Sequence, residues 1–324
     1  MMTWEMQRTV RSLEHYYLVG VGAANIDVSG KSRQPINLHD SNPGFLVTSC
    51  GGVTRNVCEN LARLGADARL ITALGADVYA EKIRRESAAA GIDLSNAFVV
   101  PDHASSSYVN LLDEHGDMLV AMSDMSILQL LPPAWLEEKK ELLRGARFVT
   151  CDPALSEQTM TTLLDLCEGY VPVYVDPVSC AYAQAVKPHI GRFHTAKPNR
   201  MELEILSGRK IRNRDDLRGA CESVLEQGLQ RVFVSLGEEG CFYMDRTGRT
   251  MERKLRPVTQ MANATGGGDA FMAAVIYSSA QSLSLEQTLD NALAAGIAAV
   301  TCRQTINPEM SPELLKKILK EYRI

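Results

Sequence analysis

The chain has 324 residues, 45% of them hydrophobic and 23% charged, with a formal net charge of −5. That length holds one large α/β domain or two smaller ones with an ample core. The acidic balance without any basic block argues against nucleic acid as a main partner. No apolar run reaches the roughly 18 residues a membrane helix needs, so no membrane partner is expected.

Residues 1–15, within "MMTWEMQRTVRSLEHYY", lack an apolar signal core and read as a polar extension before the first strand. The rest of the chain, 16–324, reads as one α/β unit. "YYLVGVGAANIDV" opens with a strand, and Ser29–Cys50 is polar and loop-like, with "HDSNPG" as a turn signal. Thr54–Gly65 has helical spacing and a glycine stop. "ARLITALG" is a strand, followed by a helix that ends at Gly91. Ala97–Asp124 alternates like strands around an Asp-Glu-His-Gly turn. Further on, "ARFVTCDP", "VPVYVDP", "FHTAKPN" and "QRVFVSLG" are buried strands, with helices at Ser156–Glu168, Arg200–Ser207 and Arg214–Gln227 between them.

This alternation predicts a mostly parallel sheet covered on both faces. Two stretches, about 29–50 and 97–124, do not fit it. They are expected to form a small β lid over the strand ends, the alternative being an ordinary edge hairpin of the same sheet. Eight cysteines show neither CxxC pairs nor histidines at zinc spacing. They read as scattered thiols of a reducing, cytoplasmic compartment.

In open α/β sheets, ligands gather at the carboxyl ends of strands, near helix N-termini. The residues in those places are Asn25 and Asp27, Asp152, Asp176, Lys197 with Asn199, Gly237, and the stretch "NATGGGDAF" at Asn263–Phe271. Three glycines before a helix let backbone N–H groups close around an anion. The segment is no Walker A loop, because no Gly-Lys-Ser/Thr follows. Asp269 in the first turn is either a helix-end charge or a general base beside a phosphate being transferred.

"NATGGGDAF" resembles the C-terminal signature of the ribokinase-like (PfkB) family of carbohydrate and nucleoside kinases. "CGGVTRNVCENLARLG" resembles the family's N-terminal Gly-Gly signature, "KPNRMELEILSG" its Asn-x-x-Glu element, and "SLGEEG" its nucleotide-side turn. The order and spacing match from about Tyr17 onward. The resemblance implies a three-layer sandwich with a mostly parallel central sheet and a small β lid. It implies an ATP-dependent kinase that uses Mg2+. Asp269 would be its catalytic base, and the backbone of Gly266, Gly267 and Gly268 its anion hole.

On the substrate side the resemblance implies Asp27, Gly51, Gly52 and Asn56, with Asn25 beside them. Asn199 and Glu202 would organise the metal's water shell. Lys197, Ser235, Gly237, Gly240 and Asn291 would serve the nucleotide. The alternatives are a turn acid for Asp27, a partner acid for Lys197, and close helix packing around Asn291.

The stretches "GAANIDVSG", "DSNPG" and "SSYVNLLDEHGDMLVAMSDM" are most like family members that act on a C-nucleoside of uracil, phosphorylated at its 5′-hydroxyl. Base recognition is then expected in the lid, from Ser41, Asn42, Ser107, Asn110 and Asp124, with Met122 as an apolar wall. Rival readings are a kinase of a free sugar or an ordinary nucleoside, and a catalytically idle relative that only binds one. A homodimer through the lid sheet would cover its open edges.

Three positions depart from the family pattern. Cys50 stands where a proline is usual, Gly267 where an alanine is usual, and Asn263 where the first signature aspartate is usual. The missing acid at Asn263 implies weak or absent activation by K+.

Overall fold

Apolar residues occupy consecutive positions along the main strands. Leu18 and Val19 are both buried, as are Phe148 with Val149 and Val232 with Phe233. Successive side chains of a strand point to opposite faces, so each such pair demands apolar cover on two sides. The computed structural model, which describes residues 16–259, 261–262 and 265–323, supplies that cover.

The first half of the chain gives β1 (Tyr17–Val21), β2 (Asn25–Ser32), β3 (Gly44–Gly51), α1 (Val53–Arg63), β4 (Asp67–Ile71), β5 (Ala73–Leu74) and α2 (Val78–Ala89). Then come β6 (Ile92–Asp93), β7 (Phe98–Val99), β8 (Ser107–Leu112), β9 (Met118–Asp124), α3 (Pro133–Glu138), α4 (Lys140–Gly145) and β10 (Phe148–Cys151). The second half gives α5 (Glu157–Cys167), β11 (Val173–Val175), α6 (Cys180–Val186), β12 (Thr195–Ala196), α7 (Arg200–Ser207) and α8 (Arg214–Glu226). It closes with β13 (Arg231–Ser235), β14 (Cys241–Asp245), β15 (Thr250–Arg253), α9 (Gly267–Ala280), α10 (Leu285–Val300) and α11 (Pro312–Tyr322).

Nine strands form the central sheet in the order β15-β14-β13-β12-β11-β10-β1-β4-β6. From β13 to β6 every neighbour is parallel, while β14 and β15 finish one edge as antiparallel strands. Val19, Val149, Val175 and Val232 pack with Leu136, Leu143, Leu163, Leu203 and Leu217 on one face. Leu18, Leu70, Phe148 and Phe233 pack with Leu61, Ile83, Val275, Ala295 and Leu315 on the other. The result is a three-layer α/β sandwich, with α1, α2, α9, α10 and α11 on the second face.

A separate four-stranded sheet runs in the order β3-β2-β8-β9 and forms the lid. Here the structure corrects the reading of Ser29–Cys50 as loop-like. β2 and β3 pair antiparallel from Asn25↔Gly51 to Ser32↔Gly44, leaving only residues 33–43 as connection. The polar turn residues of that connection masked the β-rich run "FLVTSC". β3 is also exposed over most of its length, so no buried face marks it by alternation. β8 and β9 form the expected hairpin, whose turn is held by Asp113 Oδ1 accepting from the N–H groups of His115, Gly116 and Asp117.

Candidate active site

The first cluster lies where β2, β3 and α1 meet. Gly52 precedes α1 with φ of 99°, a left-handed conformation that favours glycine. A Cβ on Gly51 would overlap the Asp27 carboxylate, so the chain approaches that acid with no side chain between them. Asn25 Nδ2 donates to Asp27 Oδ1 at 2.6 Å. Burial raises the Asp27 pKa above the usual carboxylate value, against the opposing pull of Asn25 and Arg55.

One turn into α1, Asn56 is buried and its Nδ2 donates to Asp269 Oδ2 at 2.8 Å. Its Oδ1 is shielded from solvent and has no partner among the described residues. The Gly-Gly signature and the GGG–Asp segment, more than 200 residues apart in sequence, therefore meet through one hydrogen bond. Lys31, Ser32 and the rest of the outer lid lie further along the same strand.

Asp152, at the end of β10, holds this junction together. It accepts from Ala23 N at 2.7 Å, Thr54 Oγ1 at 2.6 Å, Thr54 N at 3.3 Å and Ala154 N at 3.0 Å. It thus ties the β1–β2 turn and the start of α1 to the central sheet. Sequence marked Asp152 only as a strand-end acid, and nothing in its neighbours pointed to Thr54 as its partner. Arg55 was missed entirely. It is 2% exposed, pairs with Glu59 at 2.8 Å, and donates from Nε to Ser87 Oγ at 2.9 Å.

The second cluster surrounds the start of α9. Gly266 is its N-cap with φ of 81°, and among the described residues no side chain caps this end. The first-turn N–H groups are therefore left for another acceptor. Asp269 sits in that turn, half-buried. Burial, and then the nearby Asp176 carboxylate, push its pKa up to about 7, while Asn56 and Lys197 pull it down.

Lys197 and Asp176 form a buried ion pair at 2.8 Å. Burial lowers the Lys197 pKa, but Asp176 outweighs burial and leaves it above its ordinary value. A Cβ built on Gly268 would stand 3.0 Å from Lys197 Nζ, so the ammonium lies against the glycine loop. Of the two sequence readings of Lys197, the pairing with an acid is the one the structure displays, and the same ammonium stands beside the glycine loop.

Asn199 and Glu202 close a reciprocal capping box on α7. Glu202 accepts from Asn199 N and Nδ2, both at 2.8 Å, and Asn199 Oδ1 accepts from Glu202 N at 2.9 Å. Burial, then Asp176, raise the Glu202 pKa. Among the described residues no cluster of three His, Cys, Asp or Glu forms a metal cage. This donor set fits an ion that keeps its own water and rests on phosphate, as Mg2+ does.

Ser235 bridges Asn199 at the ends of the neighbouring strands β13 and β12, and the turn Gly237–Glu239 follows it, closing with Gly240 N–H to Gly237 O at 3.0 Å. Asn291 gives an amide N–H to Ser278 Oγ at 3.1 Å, joining α10 to α9. Its donor is thereby committed to helix packing.

The lid residues separate. Residues paired across neighbouring strands share a face. Register places Asn110 opposite Ser29, on the Asp27 face. Ser107 opposes Ile26 and Asp124, and Met122 opposes Val109, so Ser107, Met122 and Asp124 lie on the other face. Asp124 accepts from Ser126 N and Oγ. Asn42 spends its amide within the 37–42 turn, where the Ser41 N–H also goes to Asp40. The side-chain period of two separates these residues, and the sequence alone does not fix which parity faces the cleft. Asn263 and residues 1–15 lie outside the described residues.

Residues 16–312 match the model of the pfkB family of carbohydrate kinases. The chain is 36% identical over 290 residues to a pseudouridine kinase of Escherichia coli K12, covering 89% of this chain and 92% of that protein. The fold superposes on Arabidopsis thaliana ribokinase, solved with ribose and ATP, at a TM-score of 0.85, with 22% identity and coverage of 94% and 99%. A proposed ribokinase II of E. coli, solved with ATP and Mg2+, superposes at a TM-score of 0.81, with 18% identity and coverage of 95% and 100%. With a family signature spread over two clusters that the fold brings into hydrogen-bond contact, the chain belongs to the PfkB family of carbohydrate kinases and is a phosphotransferase with an alcohol group as acceptor.

Proposed function

We propose that this kinase transfers the γ-phosphoryl group of ATP to the 5′-hydroxyl of pseudouridine, the C-nucleoside of uracil. The observation that carries the reading of the chemistry is the meeting of Asp269, Asn56 and Lys197 at the uncapped start of α9. What supports the substrate is the 36% identity to a pseudouridine kinase over nearly the whole chain.

In this reading Asp27 accepts hydrogen bonds from the ribose diol, and Asn56 Oδ1, which lacks a partner, takes a further hydroxyl donor. Asp269 takes the 5′-hydroxyl proton as that oxygen forms its bond to the γ-phosphorus. The bond from phosphorus to the β,γ-bridging oxygen breaks, and ADP leaves with the electron pair. The N–H groups of Gly267 and Gly268 and the ammonium of Lys197 face the charge that builds on the transferred group. Bound Mg2+ supplies neutralisation of phosphate charge, and Asn199 and Glu202 hold it through its waters. The Ser235–Gly240 turn lines the nucleotide side, with Asn291 behind it on α10.

The reading extends to assembly and location. The outer lid face exposes Leu46, Val109, Val120 and Met122, which supports a homodimer through the lid. All eight cysteines are free thiols, which suits the cytoplasm. The test is the product: phosphorus NMR of the reaction with Mg–ATP should show a phosphomonoester on the 5′ carbon, and 5′-deoxypseudouridine should give none. Phosphate on any other oxygen contradicts the reading.

A further inference from the structure

Around Asp27 the two faces of the lid sheet differ, although further out each is mixed: Phe45 and Val47 lie on the Asp27 face, and Thr48, Ser107 and Asp124 on the other. Asp27, Ser29, Ser49, Tyr108, Asn110 and Ser123 share one face by register. Val28, Leu46, Val109, Leu111, Val120 and Met122 share the other. Along β8, Tyr108 and Asn110 are half-buried, whereas Val109 and Leu111 are 41% and 43% exposed. Along β8 the side of Tyr108 and Asn110, which is also the side of Asp27, is therefore the less exposed one, while at the base of the lid Ile26 and Cys50 of the other face are buried in the core.

Within that face Asn110 has an unmet need. Its Oδ1 is shielded from solvent and has no hydrogen-bond partner among the described residues. A buried acceptor without a donor is costly and rare in a native fold. Its position is specific. Asp27 opposes Tyr108 and Ser29 opposes Asn110, so Asn110 stands two residues beyond the Asp27 level. At the rise of a β-strand that is about 7 Å, the reach from a ribose diol to the edge of its base.

We propose that Asn110 is a specificity-determining residue whose Oδ1 accepts a ring N–H of the substrate's base. The inference rests on the nucleoside reading above and names the group that distinguishes a nucleoside from a free sugar. Uracil linked through carbon keeps two ring N–H donors, and uracil linked through nitrogen keeps one. The Asn110 amide oxygen is an acceptor that can meet such a donor.

The test uses the full chain and an ADP-release assay with wild type, Asn110→Leu and Asn110→Asp. Ribose, present as substrate or as competitive inhibitor, serves as the ligand without a base. Asn110→Leu should raise KM for pseudouridine roughly 10- to 100-fold, the span of one lost buried hydrogen bond. Its constants for ribose and ATP should stay within about twofold of wild type. Asn110→Asp, which keeps an acceptor, should lose no more than about fivefold on pseudouridine. An equal rise for pseudouridine and ribose would mean that Asn110 only shapes the lid, and the proposal falls. Unchanged KM in both variants sinks the Asn110 assignment while wild-type turnover of pseudouridine keeps the substrate reading. A wild type that accepts ribose and no nucleoside removes both.

Discussion

Asp269 concentrates the chemistry of this molecule in one side chain. Its pKa, pushed up to about 7 by burial and by Asp176, suits a group that must take a proton near neutral pH. The sign is definite. The raised value means that the folded chain holds this proton more tightly than the unfolded chain, so the stability it contributes falls as pH rises from about 3.8 to about 7. Activity runs the other way, because only the deprotonated carboxylate accepts the hydroxyl proton. Turnover should climb with pH through a limb near 7, and Asp269→Asn should lower it by roughly 100- to 10,000-fold with ATP affinity little changed. A pH–rate profile of wild type and steady-state kinetics of the variant check both; near-normal turnover in the variant would rule the base out. The glycines and the acid were legible in "NATGGGDAF" itself. The company Asp269 keeps was not, because its hydrogen bond to Asn56 spans 213 positions of sequence.

At the scale of elements, α1 links the two clusters, and Asp152 fixes where α1 begins. Removing that carboxylate leaves the N–H groups of Ala23 and Thr54 buried without their acceptor. With about 1–3 kcal/mol for each orphaned buried group, Asp152→Ala should cost roughly 2–4 kcal/mol of unfolding free energy, measurable by urea denaturation. A loss below about 0.5 kcal/mol, the scale of an ordinary surface change, would contradict the hub. The lid yields a second prediction at this scale. If its apolar outer face pairs with a second copy, Val109→Lys with Met122→Lys should turn a dimer into a monomer in analytical ultracentrifugation. A wild-type monomer at all concentrations, or a variant that still dimerises, would exclude that interface. The helices at 157–167, 200–207 and 214–226 matched their sequence pattern within a residue or so, because apolar periodicity and the caps Ser156, Asn199 and Asn213 mark them. β2 and β3 did not announce themselves, since β3, exposed on both faces over most of its length, carries no alternation, and the polar connection 33–43 breaks the pattern between them. A side-chain period of two does not say which parity shares the face of Asp27, so Ser107, Met122 and Asp124 were candidates that register places on the other face.

For the whole molecule, the order of motifs along the chain anticipated the architecture. A parallel sheet gathers its strand ends on one edge, so residues after each strand converge whatever their separation. Asp27, Asp152, Asp176, Lys197 and Asn199 all came from that rule, and the fold brings them into two adjoining clusters. Among the described residues no helix is long and apolar enough to cross a membrane. In the function proposed above, these clusters transfer phosphate to a nucleoside whose base is read by the lid. The most direct measurement is the ratio of kcat/KM for pseudouridine to that for ribose, with uridine and adenosine alongside, in a coupled ADP-release assay with Mg–ATP. A preference for pseudouridine of at least about 100-fold over ribose is expected, the discrimination that follows when a built polar site loses its partner. Equal or greater efficiency with ribose would contradict it.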